Sequence, residues 1–212
     1  MRTRIKFCGM TRVEDVRVAV DVGADALGFV FARGSPRQLD PTQLEALLDG
    51  VPAAVAAIAL FRDAAAEQVA AVLARSSRLL AQFHGDETPE FCVGCGRPWW
   101  KAVPMGVLAD GGLVEYLESY ARAGCHGFVF DSHGGAQTGG SGRRFEWSRI
   151  PAALPAPLIL AGGLTPETVA DAVRRVRPYM VDVSSGVESA PGIKDHAKMR
   201  RFADEVFRAR AD

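Results

Sequence analysis

The chain has no excess of either charge, with 25 Lys and Arg against 25 Asp and Glu. A nucleic-acid or membrane-surface partner calls for a one-signed field, so neither is expected. A small anionic ligand stays open, because a local cationic pocket needs no net charge. Long apolar runs are also missing. The longest, Val51 to Phe61, stops at Arg62 and Asp63, short of the roughly 20 residues of a membrane span. Arg2-Thr-Arg4 followed by Ile5–Met10 leaves too little apolar sequence for a signal peptide, and the chain reads as cytoplasmic. Cys8, Cys92, Cys95 and Cys125 are too few for a disulfide framework in 212 residues. Cys92-Val-Gly-Cys95 has redox or zinc spacing, but no second ligand pair or thioredoxin-like order accompanies it. Packing at a helix end is its expected role. The first strand lacks a following G-x-G-x-x-G, which removes the best marker of a dinucleotide fold.

What is present is a repeat of one kind. With 48% apolar and 24% charged residues, the 212 residues suffice for one large core and fall short of two ordinary domains. A short apolar run, a turn and a helical pattern recur eight times, with no linker or low-complexity tract between them. The strand candidates are Ile5–Cys8, Ala26–Phe31, Val55–Phe61, Leu79–His84, Trp100–Val103, Gly127–Asp131, Leu158–Ala161 and Met180–Ser184. Thr11-Arg-Val-Glu14 is a capping box, followed by Val13, Val16 and Val20 on one face and Gly23 as a stop. Asp40-Pro41-Thr42-Gln43 opens a helix carrying Leu44, Leu47 and Leu48, and Thr165-Pro166 opens one carrying Val169, Ala172, Val173 and Val176. Continuous apolar strands alternating with helices imply a parallel sheet covered on its faces. Eight units fit a single (β/α)₈ TIM barrel over residues 1–212 better than an open, doubly wound sheet.

In such a barrel the C-terminal ends of the strands line the mouth where chemistry occurs. Ala161-Gly-Gly-Leu164 after strand seven and Ser184-Ser185-Gly186 after strand eight are adjacent Gly-rich loops. Each alone could be a tight turn, but the pair at Gly162, Gly163, Ser184, Ser185 and Gly186 matches the usual phosphate site of this fold. Cys8 ends strand one before a helix start. It is either a small buried hydrophobe or a thiolate base. Asp131 ends strand six as a turn-former or a proton donor. Strands one and six are three apart around the ring, so the two would face each other across a bound substrate. Arg37, in the second βα loop, is either solvated or placed to hold a carboxylate. The residues alone leave these choices open.

Several segments in order resemble the phosphoribosylanthranilate isomerase family. They are Lys6-Phe-Cys-Gly-Met-Thr11, Gly23-Ala-Asp25 with Gly28-Phe-Val-Phe31, Ser35-Pro-Arg37, Gln82-Phe-His-Gly85, Phe130-Asp-Ser132, Gly139-Gly-Ser-Gly142 with Phe145-Glu-Trp147, Ala161-Gly-Gly-Leu164, Asp182 to Glu188, and at the end Pro191-Gly-Ile-Lys-Asp195. Phe83 stands where that family often has Leu, and Glu146 where Asp is common; both keep the chemical type. The resemblance implies an Amadori rearrangement of a phosphorylated anthranilate riboside to its 1-deoxyribulose form. Asp131 would be the general acid, Cys8 the general base, and Arg37 the holder of the anthranilate carboxylate. Gly162, Gly163, Ser185 and Gly186 would hold the phosphate, with His84 and Asp182 lining the pocket. The substrate would be a small phosphorylated molecule, the enzyme a monomer or homodimer, and no metal or organic cofactor is implied. An anionic substrate would push the Cys8 thiol up, so a helix N-terminus or another cation must offset it.

Two rivals share the barrel. The histidine-pathway isomerase, or an enzyme serving both pathways, would be expected to end strand one in Asp and to carry a second phosphate loop in its first half. A non-catalytic phosphosugar-binding barrel would need Cys8 or Asp131 missing or out of reach. Sugar-phosphate epimerases want a metal cluster at strand ends, which His84, His126, His133 and His196 do not supply.

Overall fold

In the computed structural model, residues 2–108, 110–132 and 145–209 are described. Eight strands close into an all-parallel barrel in sequence order: β1 (Arg4–Cys8), β2 (Ala26–Val30), β3 (Ala56–Phe61), β4 (Leu79–Phe83), β5 (Trp99–Pro104), β6 (Phe128–Asp131), β7 (Leu158–Leu160) and β8 (Met180–Val183). The last pairs with the first, and Lys6 lies opposite Asp182 in that register. Strand side chains alternate between faces. Ile5, Phe7 and Phe29 therefore pack outward beneath the helices, while Ala26, Ile58, Trp100, Val129, Ile159 and Met180 form an apolar plug inside. Two residues further along the same inward rows the character turns polar. Gln82 follows Leu80, Asp131 follows Val129, and Asp182 follows Met180, each nearer the C-terminal mouth.

The helices are α1 (Val13–Asp21), α2 (Leu44–Leu48), α3 (Ala66–Leu73), α4 (Pro89–Gly94), α5 (Asp110–Arg122), α6 (Val169–Val176) and α7 (His196–Arg208). Asp40 caps the turn before α2 as its sequence implies, taking the Thr42 N–H at 2.8 Å while Gln43 takes the Asp40 N–H at 2.9 Å. The Thr11 capping box does not form. The N-cap of α1 is Arg12, without a side-chain cap. The Thr11 hydroxyl instead donates to the Gly192 carbonyl, and the Glu14 carboxylate is taken by Arg12 at 2.6 Å. Thr165-Pro166 opens a turn rather than α6 itself. Thr165 O accepts from Thr168 and Val169 at 3.0 Å, and the helix begins at Val169.

Between β6 and β7 the described residues hold a 3-10 turn, Trp147–Arg149, in place of the helix that the repeat implies. Pro151, Pro155 and Pro157 follow closely, and each removes an N–H and bars the residue before it from helical geometry. Gly139–Gly142 and His133 lie outside the described residues. Phe83 joins an aromatic row under the helices, with centroids 6.0 Å from Phe61, 5.8 Å from Phe91 and 6.4 Å from Trp99. Such pairs add about 0.5–1.5 kcal/mol each beyond burial. An antiparallel hairpin, β9 (Glu188–Ala190) with β10 (Ile193–Lys194), joins β8 to α7. Among the described residues no helix is long and apolar enough to cross a membrane.

Candidate active site

A pocket sits at the C-terminal end of the barrel. Cys8, Arg37, His84, Asp131 and Asp182 all reach its wall, as do both Gly-rich loops. Strand alternation puts Lys6 and Cys8 on the inner face of β1, and Asp182 beside them on β8.

The Cys8 side carries cations that sequence reasoning did not single out. Lys6 is fully buried, and its Nζ lies 2.8 Å from Asp182 Oδ2. Lys194, also buried, donates to the Cys8 carbonyl at 2.6 Å and to Glu188 Oε1 at 2.9 Å. Burial pushes the Cys8 thiol above its ordinary value, against the pull of Lys6 and then Lys194, with Asp182 adding to the rise. Burial works against the charge on Lys6, yet Asp182 and Cys8 outweigh it and leave the ammonium above its usual range. For Lys194 burial wins, and its value falls. Gly28 crowds the same thiol: a Cβ there would stand 2.7 Å from Sγ.

Across the pocket, Asp131 is buried with Oδ2 3.2 Å from His84 Nε2. His84 Nδ1 in turn lies 3.2 Å from the Gln82 amide nitrogen. The loop after His84 is fixed from below. Lys101 binds the Gly85 carbonyl at 2.5 Å and Glu87 at 3.0 Å, and Glu87 accepts from the Gly85 N–H at 2.9 Å. Two buried acceptors in the pocket wall, Gln82 Oε1 and Asp182 Oδ1, have no hydrogen-bond partner among the described residues. Buried polar atoms left unpaired are costly, so each calls for a hydrogen-bond donor.

Arg37 is not a solvated loop residue. Its Nε and Nη2 bind Glu188 at 2.8 and 2.6 Å, and its side chain is 11% exposed. Burial opposes the charge of Glu188, but Arg37 and Lys194 hold its carboxyl below the ordinary range. Nη1 has no partner among the described residues, so the guanidinium is clamped along one edge and offers the other to a second carboxylate. In the glycine loops, the Gly162 and Gly163 N–H groups donate to no backbone carbonyl among the described residues. Gly162 has φ +85°, and at Gly186 a Cβ would overlap the Leu164 carbonyl oxygen. The two loops therefore touch through a position where only glycine fits. The mouth thus joins a thiol among cations, a carboxyl on an imidazole, a clamped guanidinium and a backbone anion cradle. Cys92 lies in α4 and Cys95 caps its C-terminal end, away from this mouth. Among the described residues no group of three or more His, Cys, Asp or Glu is placed to hold a metal.

Glu188 and Lys194 went unnoticed in the sequence because their partners lie 151 and 186 residues away. An acid and a lysine inside matched segments were the available signal.

The family model described as N-(5'-phosphoribosyl)anthranilate (PRA) isomerase matches residues 5–205. The N-(5'-phosphoribosyl)anthranilate isomerase of Thiobacillus denitrificans is 50% identical over 206 residues, covering 97% of this chain and 98% of its own. Phosphoribosyl anthranilate isomerase from Thermus thermophilus superposes with a TM-score of 0.82 at 33% identity, over 98% of this chain and all of its own. A further phosphoribosyl anthranilate isomerase, solved in complex with reduced 1-(o-carboxyphenylamino)-1-deoxyribulose 5-phosphate, superposes with a TM-score of 0.79 at 30% identity, over 97% and 98% of the two chains.

Proposed function

Because this chain belongs to the N-(5'-phosphoribosyl)anthranilate isomerase family, we propose that Cys8 and Asp131 divide between them the acid–base work of that reaction. The enzyme isomerises N-(5-phosphoribosyl)anthranilate to 1-(2-carboxyphenylamino)-1-deoxyribulose 5-phosphate in tryptophan biosynthesis. Asp131 protonates the ribose ring oxygen, the C1–O bond breaks, and the aniline nitrogen supplies its lone pair to form the C1=N iminium. The Cys8 thiolate then removes the C2 proton. The C–H pair becomes the C1–C2 double bond while the iminium π pair returns to nitrogen, giving an enolamine. A proton from the Cys8 thiol is delivered to C1 while the C2 hydroxyl gives up its proton to the Asp131 carboxylate, which yields the ketone and restores both groups. The aniline nitrogen itself acidifies C2, so the scheme draws on no organic cofactor.

One observation carries the reading: a buried thiol and a buried carboxyl, three strands apart on the ring, face one pocket from β1 and β6. His84 donates to Asp131 while it is ionised and so keeps its reactive oxygen aimed. Arg37 takes the anthranilate carboxylate on its free edge. Asp182 Oδ1 and Gln82 Oε1 accept ribose hydroxyls, and Gly162, Gly163, Ser184, Ser185 and Gly186 surround the phosphate. All these groups come from one chain, which suits a monomer or a homodimer working in the cytoplasm.

The direct test is decay of anthranilate-type fluorescence when purified protein meets freshly made phosphoribosylanthranilate. Fast decay supports the reading. Its absence with well-folded protein directs the assay to the histidine-pathway substrate, and then to a barrel that only binds.

Two binding predictions follow from the same geometry. Arg37→Ala should raise KM by roughly 10- to 100-fold with a smaller change in kcat, since a charge-assisted pair contributes about 1.5–3 kcal/mol. Unchanged KM in steady-state assays would remove Arg37 from carboxylate binding. Gly186→Ala forces the two phosphate loops apart at Leu164. Overpacking of this kind costs about 1–3 kcal/mol, so product affinity measured by fluorescence titration should fall roughly tenfold. Wild-type affinity in that variant would place the phosphate elsewhere.

A further inference from the structure

We propose that Lys6 is the counter-ion of Cys8: a positioning residue, fixed by Asp182, that keeps the thiolate within reach at each turnover. The proposal rests on Cys8 as the base for its catalytic consequence. Lys6 stands two residues before Cys8 on the same inward row of β1, with no exposure to solvent. Among the described residues its one charged hydrogen-bond partner is Asp182, at 2.8 Å across the β1–β8 seam. A buried ion pair is a poor stabiliser, since apolar residues of similar volume often do as well or better. An ammonium held inside the barrel, beside a thiol that must ionise, therefore asks for another explanation.

The other cations near Cys8 are committed. Lys194, on β10, spends its donors on the Cys8 carbonyl, the Ser184 carbonyl and Glu188. Arg37, in the loop after β2, is clamped by Glu188. Asp182, from β8, faces the thiol with the wrong sign, and Lys6 stands between them in charge. Lys6 acts on the thiol through its charge, from two residues away on the same inward row of β1. When Cys8 is a thiol, Lys6 is balanced by Asp182 alone. When Cys8 is a thiolate, Lys6 serves two anions. As the S–H bond forms and the C2–H bond breaks, Lys6 keeps its own proton and returns to Asp182. Lys6 is paired in both states, so the Cys8 thiolate forms beside a cation already fixed in place.

The test reads the thiolate itself. Native protein is treated with iodoacetamide between pH 6 and 10, and alkylation of the Cys8 peptide is followed by mass spectrometry, because the thiolate is the reacting form. Lys6→Met should slow alkylation by roughly tenfold or more below pH 9, one unit or more of lost thiolate stabilisation. Asp182→Asn should speed it, because it removes the opposing charge. Opposite signs distinguish electrostatics from loosening of the barrel, which would speed both. Should a lone buried Asp182 unfold Lys6→Met, the same substitution in the Asp182→Asn background gives the comparison. Turnover of the Lys6 variant should fall in kcat with KM nearly kept. Unchanged or faster alkylation in Lys6→Met overturns the proposal. With that result, an inactive Cys8→Ala would still support Cys8 as the base. If the alkylation shifts appear but Cys8→Ala turns over normally, the counter-ion stands and the base assignment falls.

Discussion

Cys8→Ala should lose roughly 10²–10⁴-fold in kcat, the usual worth of a positioned acid or base, while its affinity for the ketose product stays close to wild type. The substitution removes one Sγ from a buried row. The Lys6–Asp182 pair remains intact, as does the Lys194 bond to the residue 8 carbonyl, so the fold and the phosphate loops should persist. The losses should concentrate in kcat because the thiol acts on the C2 proton and contributes little to ground-state binding. Single-turnover fluorescence decay with product titration separates the two. Near-normal turnover in a folded Cys8→Ala protein would take the base away from β1 altogether. Cys8→Ser offers a finer reading. A hydroxyl ionises far less readily, so proton removal should become the slow step and a C2-deuterated substrate should show an enlarged isotope effect.

Asp131→Asn should produce a loss of similar size by a different route. The amide keeps the shape of the carboxyl and can still bond to His84, whose Nε2 stands 3.2 Å from Oδ2. What disappears is the proton delivered to the ring oxygen. Ring opening then limits the rate, and the isotope effect from C2 deuterium should fall toward one, opposite to the Cys8→Ser result. Product affinity measured beside it guards against a general disturbance of the mouth. A wild-type rate in Asp131→Asn, or an isotope effect that grows, would move the acid role to another group.

Much of this site was legible along the chain, for reasons of local physics. Gly127–Asp131 reads as a strand that ends in an acid because an apolar run is followed abruptly by a charge, and β6 forms over Phe128–Asp131. Gly162–Gly163 and Gly186 read as backbone approaching a ligand because only glycine tolerates such geometry. The failures are equally local. Thr11 has every mark of a cap, but a hairpin folded from residues 188–194 captures its hydroxyl at Gly192. Thr165-Pro166 has the marks of a helix start, and Thr168 takes that position three residues later. The eightfold repeat promised a helix between β6 and β7, and the described part of that crossover carries a proline-rich turn.

The order of eight strands, the inward polar row at their C-terminal ends and the glycine loops follow from alternation and backbone sterics, which operate over a few residues and so are written in the sequence. Closure of the barrel decided the rest. It brought Asp182 to Lys6 across 176 positions and Glu188 to Arg37 across 151. Those contacts hold a buried ammonium on the same inward row as Cys8 and clamp a loop arginine along one edge. Charge–charge interactions depend on distance through space and on burial, and neither exists for these pairs until β8 has paired with β1.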